Sequence, residues 1–200
     1  MVEMRYLLTP AQRTFKQAVR EMVESETDPL HGDRDGAPGS SKASIGARIE
    51  QRLLSLASGG PAGKAGALAN LESVVALEEI VRGSYRTGRS FAPGRVFGAK
   101  PGILQAAVSL GIAQGALEAC LEKAFTPESQ ASSAPGAGIQ PLSDCVSEIE
   151  AVRLLVYRAA ILEDGGKGNP EEEARAESLA AESRSRAVRL AEEIMKRSEQ

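Results

Sequence analysis

The sequence predicts an all-α bundle of about six helices, and three observations carry that expectation. Apolar residues return at spacings of three and four through most of the chain, the period of a helix face packed on a core, rather than alternating as in a half-buried strand. Alanine and leucine dominate the apolar set, while valine and isoleucine stand singly or in pairs instead of in strand-like runs. Thr9–Pro10 and Asn169–Pro170 each set a capping side chain before a proline whose missing N–H costs nothing in the first turn of a helix.

The elements follow in order. Thr9, Pro10 and Gln12 have the spacing of a capping box and open a helix near residues 10–25, with Phe15, Ala18, Val19, Met22 and Val23 on one face. Asp28 to Ser41 is rich in turn formers and reads as a flexible loop. A helix near 42–57 turns Ile45, Ile49, Leu53 and Leu56 inward, and Gly59, Gly60, Gly63 and Gly66 break the chain after it. The next helix, near 67–85, has a broad apolar surface of Leu68, Leu71, Val74, Val75, Leu77, Ile80 and Val81, wider than one core contact needs. Arg86 to Pro101 is irregular. The helix near 102–125 is apolar nearly all round and is expected to be the most buried, with Gly111 and Gly115 permitting a close backbone approach.

Thr126 to Pro141 is a Pro/Gly/Ser/Ala loop. A long helix near 142–164 follows, with Leu142, Val146, Ile149, Val152, Val156 and Ala159 at helical spacing. Asn169 caps the last helix, near 170–197. Glu171, Glu172 and Glu173 lie at its positive dipole end, and Lys196 and Arg197 at its negative end. Ala176, Leu179, Ala180, Ala187, Leu190, Ala191 and Ile194 form its inner stripe.

Bulk properties exclude several classes. The chain has 200 residues, enough to bury a substantial core, with 42% hydrophobic and 26% charged residues. A net charge of −3 and no basic stripe with interleaved aromatics argue against a nucleic-acid partner. Cys120 and Cys145 fall in apolar helical patterns and read as small core residues rather than a disulfide or metal site. The N-terminus lacks a basic stretch followed by a long apolar run. Ile103 to Leu117 is shorter than a bilayer requires and contains Gln105, Ser109 and Gln114, so it reads as a buried helix. The expectation is a soluble cytoplasmic protein without a membrane partner.

Three regions resemble the acyl-CoA dehydrogenase family. LLTPAQRTFKQAVREMVE is similar to its opening helix, and GGPAGKAGALANLESVVALEEIVRG to the glycine turn and following helix of its N-terminal domain, with Glu78 and Glu79 as the paired acids. The spacing from glycines to acids is a few residues longer than the family's. ILQAAVSLGIAQGALEACLEKA, followed by a segment containing EIEAVRLLVYRAAIL, resembles the first two helices of the family's C-terminal bundle, and Glu171 to Lys196 a third. The resemblance covers about three quarters of the chain and implies an N-terminal helical part over 1–100 and a C-terminal bundle over 101–200.

The departures concern chemistry. The family sets a β-domain between its helical parts, whereas Arg86 to Gly102 is too short for a sheet domain. The family's flavin-contacting loop carries an Arg and an aromatic in an RxxFGxP pattern; the corresponding SQASSAPGAGIQP has neither. The family's catalytic carboxylate lies either past the last helix, beyond Gln200 here, or near the start of the helix at Pro101, where Ala99, Lys100, Pro101 and Gly102 include no acid.

Other constellations are weak. Ser58 to Ala65, SGGPAGKA, misses the first glycine and the hydroxyl of a phosphate-binding loop. Asp33, Asp35 and Gly36 lack the remaining ligands of a calcium loop, and His31 has no nucleophile nearby in sequence. Glu171, Glu172 and Glu173 diverge around a helix, and Glu148 and Glu150 fit a solvated flank. No catalytic, cofactor-binding or metal-binding residue is therefore expected. The leading expectation is a non-catalytic helical scaffold or interaction subunit, a homo-oligomer or a partner of full-length acyl-CoA dehydrogenases. The alternative is a minimal FAD-dependent oxidoreductase of that type, alone or with a partner chain.

Overall fold

The computed structural model describes residues 8–27, 49, 51–53, 55–56, 68–87, 97–124 and 139–197. Over these residues the chain forms α1 (Pro10–Thr27), α2 (Asn70–Thr87), α3 (Pro101–Ala124), α4 (Ile139–Asp164) and α5 (Pro170–Arg197). Residues 49, 51–53 and 55–56 are also helical, and Leu68 and Phe97 make an isolated parallel bridge just ahead of α2 and α3. The all-α class stands. Of the expected loops, most of 28–41, 86–101 and 126–141 lies outside the described residues, but Ile139, Gln140 and Pro141 already belong to α4.

The ends of the helices follow from their own residues. At α1 the Thr9 N–H donates to Gln12 Oε1 at 2.9 Å and the Gln12 N–H to Thr9 Oγ1 at 3.3 Å, the reciprocal pair of a capping box. At α5 the Glu171 N–H donates to Asn169 Oδ1 at 3.0 Å. α4 stops where Gly166 takes φ +68°, with the Gly166 N–H reaching Glu163 O at 3.0 Å and the Lys167 N–H reaching Leu162 O at 2.8 Å. That is a Schellman cap, and it needs a residue tolerant of the left-handed region. α2 begins differently: its N–H groups at Asn70 and Leu71 donate to the Asp164 carboxylate at 2.8 and 3.0 Å, so the last residue of α4 caps it. An acid at the positive end of the helix dipole adds to that contact.

α3 packs on both α2 and α5, and α4 lies against α2, α3 and α5, while α1 covers α2. α3 and α5 bury small residues, among them Ala106, Ala113, Ala176, Ala180 and Ala187, which let neighbouring helix axes come close. Across α2, a Cβ at Gly111 would lie 2.6 Å from the Glu78 carbonyl oxygen and one at Gly115 2.9 Å from Tyr85 Cβ, so both expected close approaches are made. α3 runs for 24 residues and by length and composition is apolar enough to cross a bilayer, which corrects the expectation of a shorter segment; two thirds (67%) of its apolar window is buried among the other helices.

Three expectations about faces are corrected. α2, not α3, is the more continuously buried helix, with every residue from 73 to 83 inside. Its broad apolar face, expected to be wider than one core contact needs, is covered within the chain by α1, α3 and α4. Val146 and Leu56, expected to face inward, are each 37% exposed. Helix periodicity assigns a residue to a stripe, but the width of the neighbour that covers the stripe sets where it ends. Ile49, Leu53, Val19, Met22 and Val23 are buried as their spacing implied.

A buried ion network as the candidate functional site

The most apolar-looking interior holds the chain's densest charge. On α2, Glu78 and Glu79 are each 1% exposed and Arg82 3%, in the middle of a run of buried aliphatic side chains. Their partners come from three other helices. Arg153 of α4 donates from Nε to Glu78 Oε1 at 2.7 Å, and the Tyr157 hydroxyl, one helical turn further along, donates to Glu78 Oε2 at 2.8 Å. Arg82 donates to Glu79 Oε2 at 2.8 Å, to Glu118 of α3 at 2.8 Å and to Glu24 of α1 at 3.0 Å. From α1, Arg20 forks onto both oxygens of Glu79 at 3.0 and 3.3 Å.

Lys16 of α1 closes the arrangement. Its Nζ donates to the Tyr157 hydroxyl oxygen at 3.0 Å, lies 3.4 Å from Glu79 and 3.7 Å from Glu78, and sits 5.5 Å from the centre of the Tyr157 ring. Arg153 also donates to Gln114 Oε1 at 2.8 Å and pairs with Glu150, and Gln114 donates in turn to Glu118 at 3.0 Å. Lys16, Arg20, Arg82 and Arg153 thus face Glu24, Glu78, Glu79, Glu118 and Glu150 across α1, α2, α3 and α4.

The protonation states follow from that geometry. Burial pushes the Glu78 carboxyl up, but the Arg153 and Lys16 charges and the Tyr157 hydrogen bond outweigh it and hold the group at about 2. Burial, followed by the charge of Glu78, drives the Tyr157 hydroxyl well above its ordinary value. Desolvation alone would lower the Arg153 and Arg82 guanidiniums; the carboxylates beside them, Glu78 and Glu79 first, reverse this and raise both. Glu78 is thus held ionised, and Tyr157, Arg82 and Arg153 hold their protons at neutral pH. A carboxylate held this acidic is a poor general base, whose best value lies near the operating pH. The arrangement is built to hold helices together.

Sequence reasoning singled out Glu78 and Glu79 only through the family resemblance, and it missed Lys16, Arg20, Arg82, Arg153 and Tyr157. A signal existed. Arg153 and Tyr157 stand four apart on the face that carries Ile149, Val156 and Ala160, and three charges interrupt the apolar run of α2. Glu150 and Glu148, expected on a solvated flank, are both partly exposed; Glu150 pairs with Arg153 at the edge of the network, and Glu148 takes Arg186 of α5 at 2.8 Å.

Elsewhere the chemistry is sparse. Cys120 and Cys145 are buried free thiols; burial, followed by the charge of Cys145, pushes Cys120 up to about 11, so it stays protonated and a weak nucleophile. A groove of about 310 Å³ between α4 and α5 presents Asp144, Glu148 and Glu193 beside Arg186 and Arg189. Among the described residues no group of three or more His, Cys, Asp or Glu is placed to hold a metal ion. The near-phosphate loop at 58–65, the acidic loop with His31, Asp33 and Asp35, and most of the segment that stands for the flavin-contacting loop lie outside the described residues.

Residues 102–195 match the family model of the acyl-CoA dehydrogenase C-terminal domain. The match spans α3, α4 and nearly all of α5, the part of the fold from which Arg153 and Tyr157 reach Glu78 and Glu118 takes Arg82. No curated protein and no solved structure matches the chain.

Proposed function

We propose that this acyl-CoA dehydrogenase-like chain is a non-catalytic helical scaffold, an interaction subunit that assembles with itself or with full-length relatives. Its first hundred residues and its last hundred would correspond to the family's two helical parts, joined without a β-domain. The observation that carries the reading is the buried network. Glu78, Glu79, Arg82 and Arg153, all buried, direct their polar atoms at one another and at α1 and α3. Charges used this way fix which helices pair and in what register. They are not poised for proton transfer.

FAD is the cofactor the family implies, and the described residues do not suit it. The buried arginines and the buried tyrosine already have carboxylate partners, and the groove between α4 and α5 sits at the small end of ligand pockets, which start near ~300 Å³. The test is titration of the purified chain with FAD, followed by quenching of flavin fluorescence. The expected outcome is no saturable binding. Tight stoichiometric binding overturns the scaffold reading.

The family match itself favours a second reading, a minimal FAD-dependent oxidoreductase that takes its flavin contacts from a partner chain. Co-purification with a full-length relative, with flavin bound only in the complex and acyl-CoA oxidation lost when this chain is removed, would establish it.

A further inference from the structure

α3 and α5 both run antiparallel to α4. The pairs Lys100–Glu163 and Gln114–Arg153 show it for α3, and Arg158–Glu172 and Glu148–Arg186 for α5, so α3 and α5 are parallel to each other. Gly102 fixes their register. A Cβ there would lie 2.7 Å from Glu173 Oε1 and 3.1 Å from Glu177 Oε2, which seats Gly102 between those two residues, level with Ala176. From that level both helices repeat small side chains at the same steps of four, three and four: Gly102, Ala106, Ser109 and Ala113 on α3, and Ala176, Ala180, Ser183 and Ala187 on α5. Ser109 is therefore level with Ser183, facing the hole framed by Ala180, Ser183 and Ala187 with half-buried Arg184 at its rim. Both serines are 1% exposed. Neither hydroxyl has a hydrogen-bond partner among the described residues, the other serine included.

We infer that Ser109 and Ser183 together hold a buried water molecule between α3 and α5. A buried hydroxyl in a helix can otherwise donate to the carbonyl one turn earlier, here Gln105 and Leu179, and neither of those bonds is made. Two hydroxyls left unpaired in the interior would cost stability that alanines at the same positions would not. The neighbours along both stripes, Ala106, Ala113, Ala180 and Ala187, end in methyl groups and leave space beside the hydroxyls, while a larger guest would have to spread the two helices. Water is small, and it donates and accepts, so it serves both hydroxyls whichever way they turn. A buried water makes about three hydrogen bonds: the two serines supply two, and the free lone pair of a carbonyl at Gln105 or Leu179 supplies the third.

Oxygen-17 magnetic relaxation dispersion, which counts long-lived internal waters, tests the inference on the full chain and on Ser109→Ala, Ser183→Ala and the double variant. Alanine is the better helix former, so all three variants should fold. The expected result is one long-lived water lost in each single variant and no further loss in the double. Urea unfolding of the same four proteins gives a second readout. Either substitution alone releases the shared water, so the double variant's unfolding constant should differ from the product of the two single effects by about fivefold or more. An unchanged water count overturns the site, and so does a double variant that loses two waters, because the hydroxyls would then bind separately. Additive effects on unfolding overturn it by showing each hydroxyl satisfied within its own helix. Single variants more stable than the parent overturn it by showing a dry seam.

Discussion

Arg153 shows how much of this fold hangs on single buried charges. It neutralises Glu78, engages Gln114 and holds Glu150, at 7% side-chain exposure. Arg153→Met should therefore cost about 3–5 kcal/mol, because it strands a carboxylate in the interior. Adding Glu78→Gln should restore part of that, and a double-mutant cycle from denaturant unfolding measures the coupling. The acid response has a definite sign. Glu78 titrates at an ordinary 4.5 when unfolded and at about 2 in the folded chain, so the folded state resists its proton. The stability this confers is complete above the unfolded value and is lost as pH falls through the folded one. Unfolding free energy measured between about pH 5 and pH 3 should fall more gently in Glu78→Gln than in the parent, by up to one proton's slope.

At the scale of the helix, the contacts that decide stability are made between elements rather than within them. Gly111 sits where a methyl group would lie 2.6 Å from the Glu78 carbonyl and 2.7 Å from Val81. Alanine there would gain about 1 kcal/mol of helix propensity. The forced separation of α2 and α3 should outweigh it, giving a net loss of about 1–3 kcal/mol in thermal or urea unfolding. Asp164 is the second case. Removing its carboxylate leaves two N–H groups of α2 without their partner, so Asp164→Ala should cost about 1 kcal/mol. Hydrogen exchange should show the loss in the first turn of α2, far from the substitution in sequence. Protection unchanged there would mean that the cap contributes nothing.

For the whole molecule, the network joins four helices from within, while Leu154, Leu155 and Ile161 on the outer side of α4 stay exposed. A charge at Val156 should therefore unfold the protein, whereas a charge at Leu154 should leave it folded. Comparing the melts of the two glutamate variants tests that distinction, and similar destabilisation by both would place α4 in a different orientation. The helices and their caps were legible in the sequence because they are local. The Thr9–Gln12 box and the Asn169 cap depend on residues within a turn or two of each other. The likeness to the acyl-CoA dehydrogenase C-terminal domain was legible too, over 102–195.

The sequence by itself determined that the chain is helical, where most helices start and stop, and which aliphatic stripes seek a core. Helix period and capping chemistry act over a few residues and leave their marks side by side in the chain. Only the tertiary structure decided where the charges go. A glutamate reads alike whether it faces water or an arginine from a helix 75 residues away, as Glu78 does with Arg153. What separates the two is the free energy of desolvation set against that of pairing, and the partners exist only once α1, α2, α3 and α4 have come together. The same assembly decided that the broad apolar face of α2 is covered within the chain and that the stripe left uncovered is the one on α4.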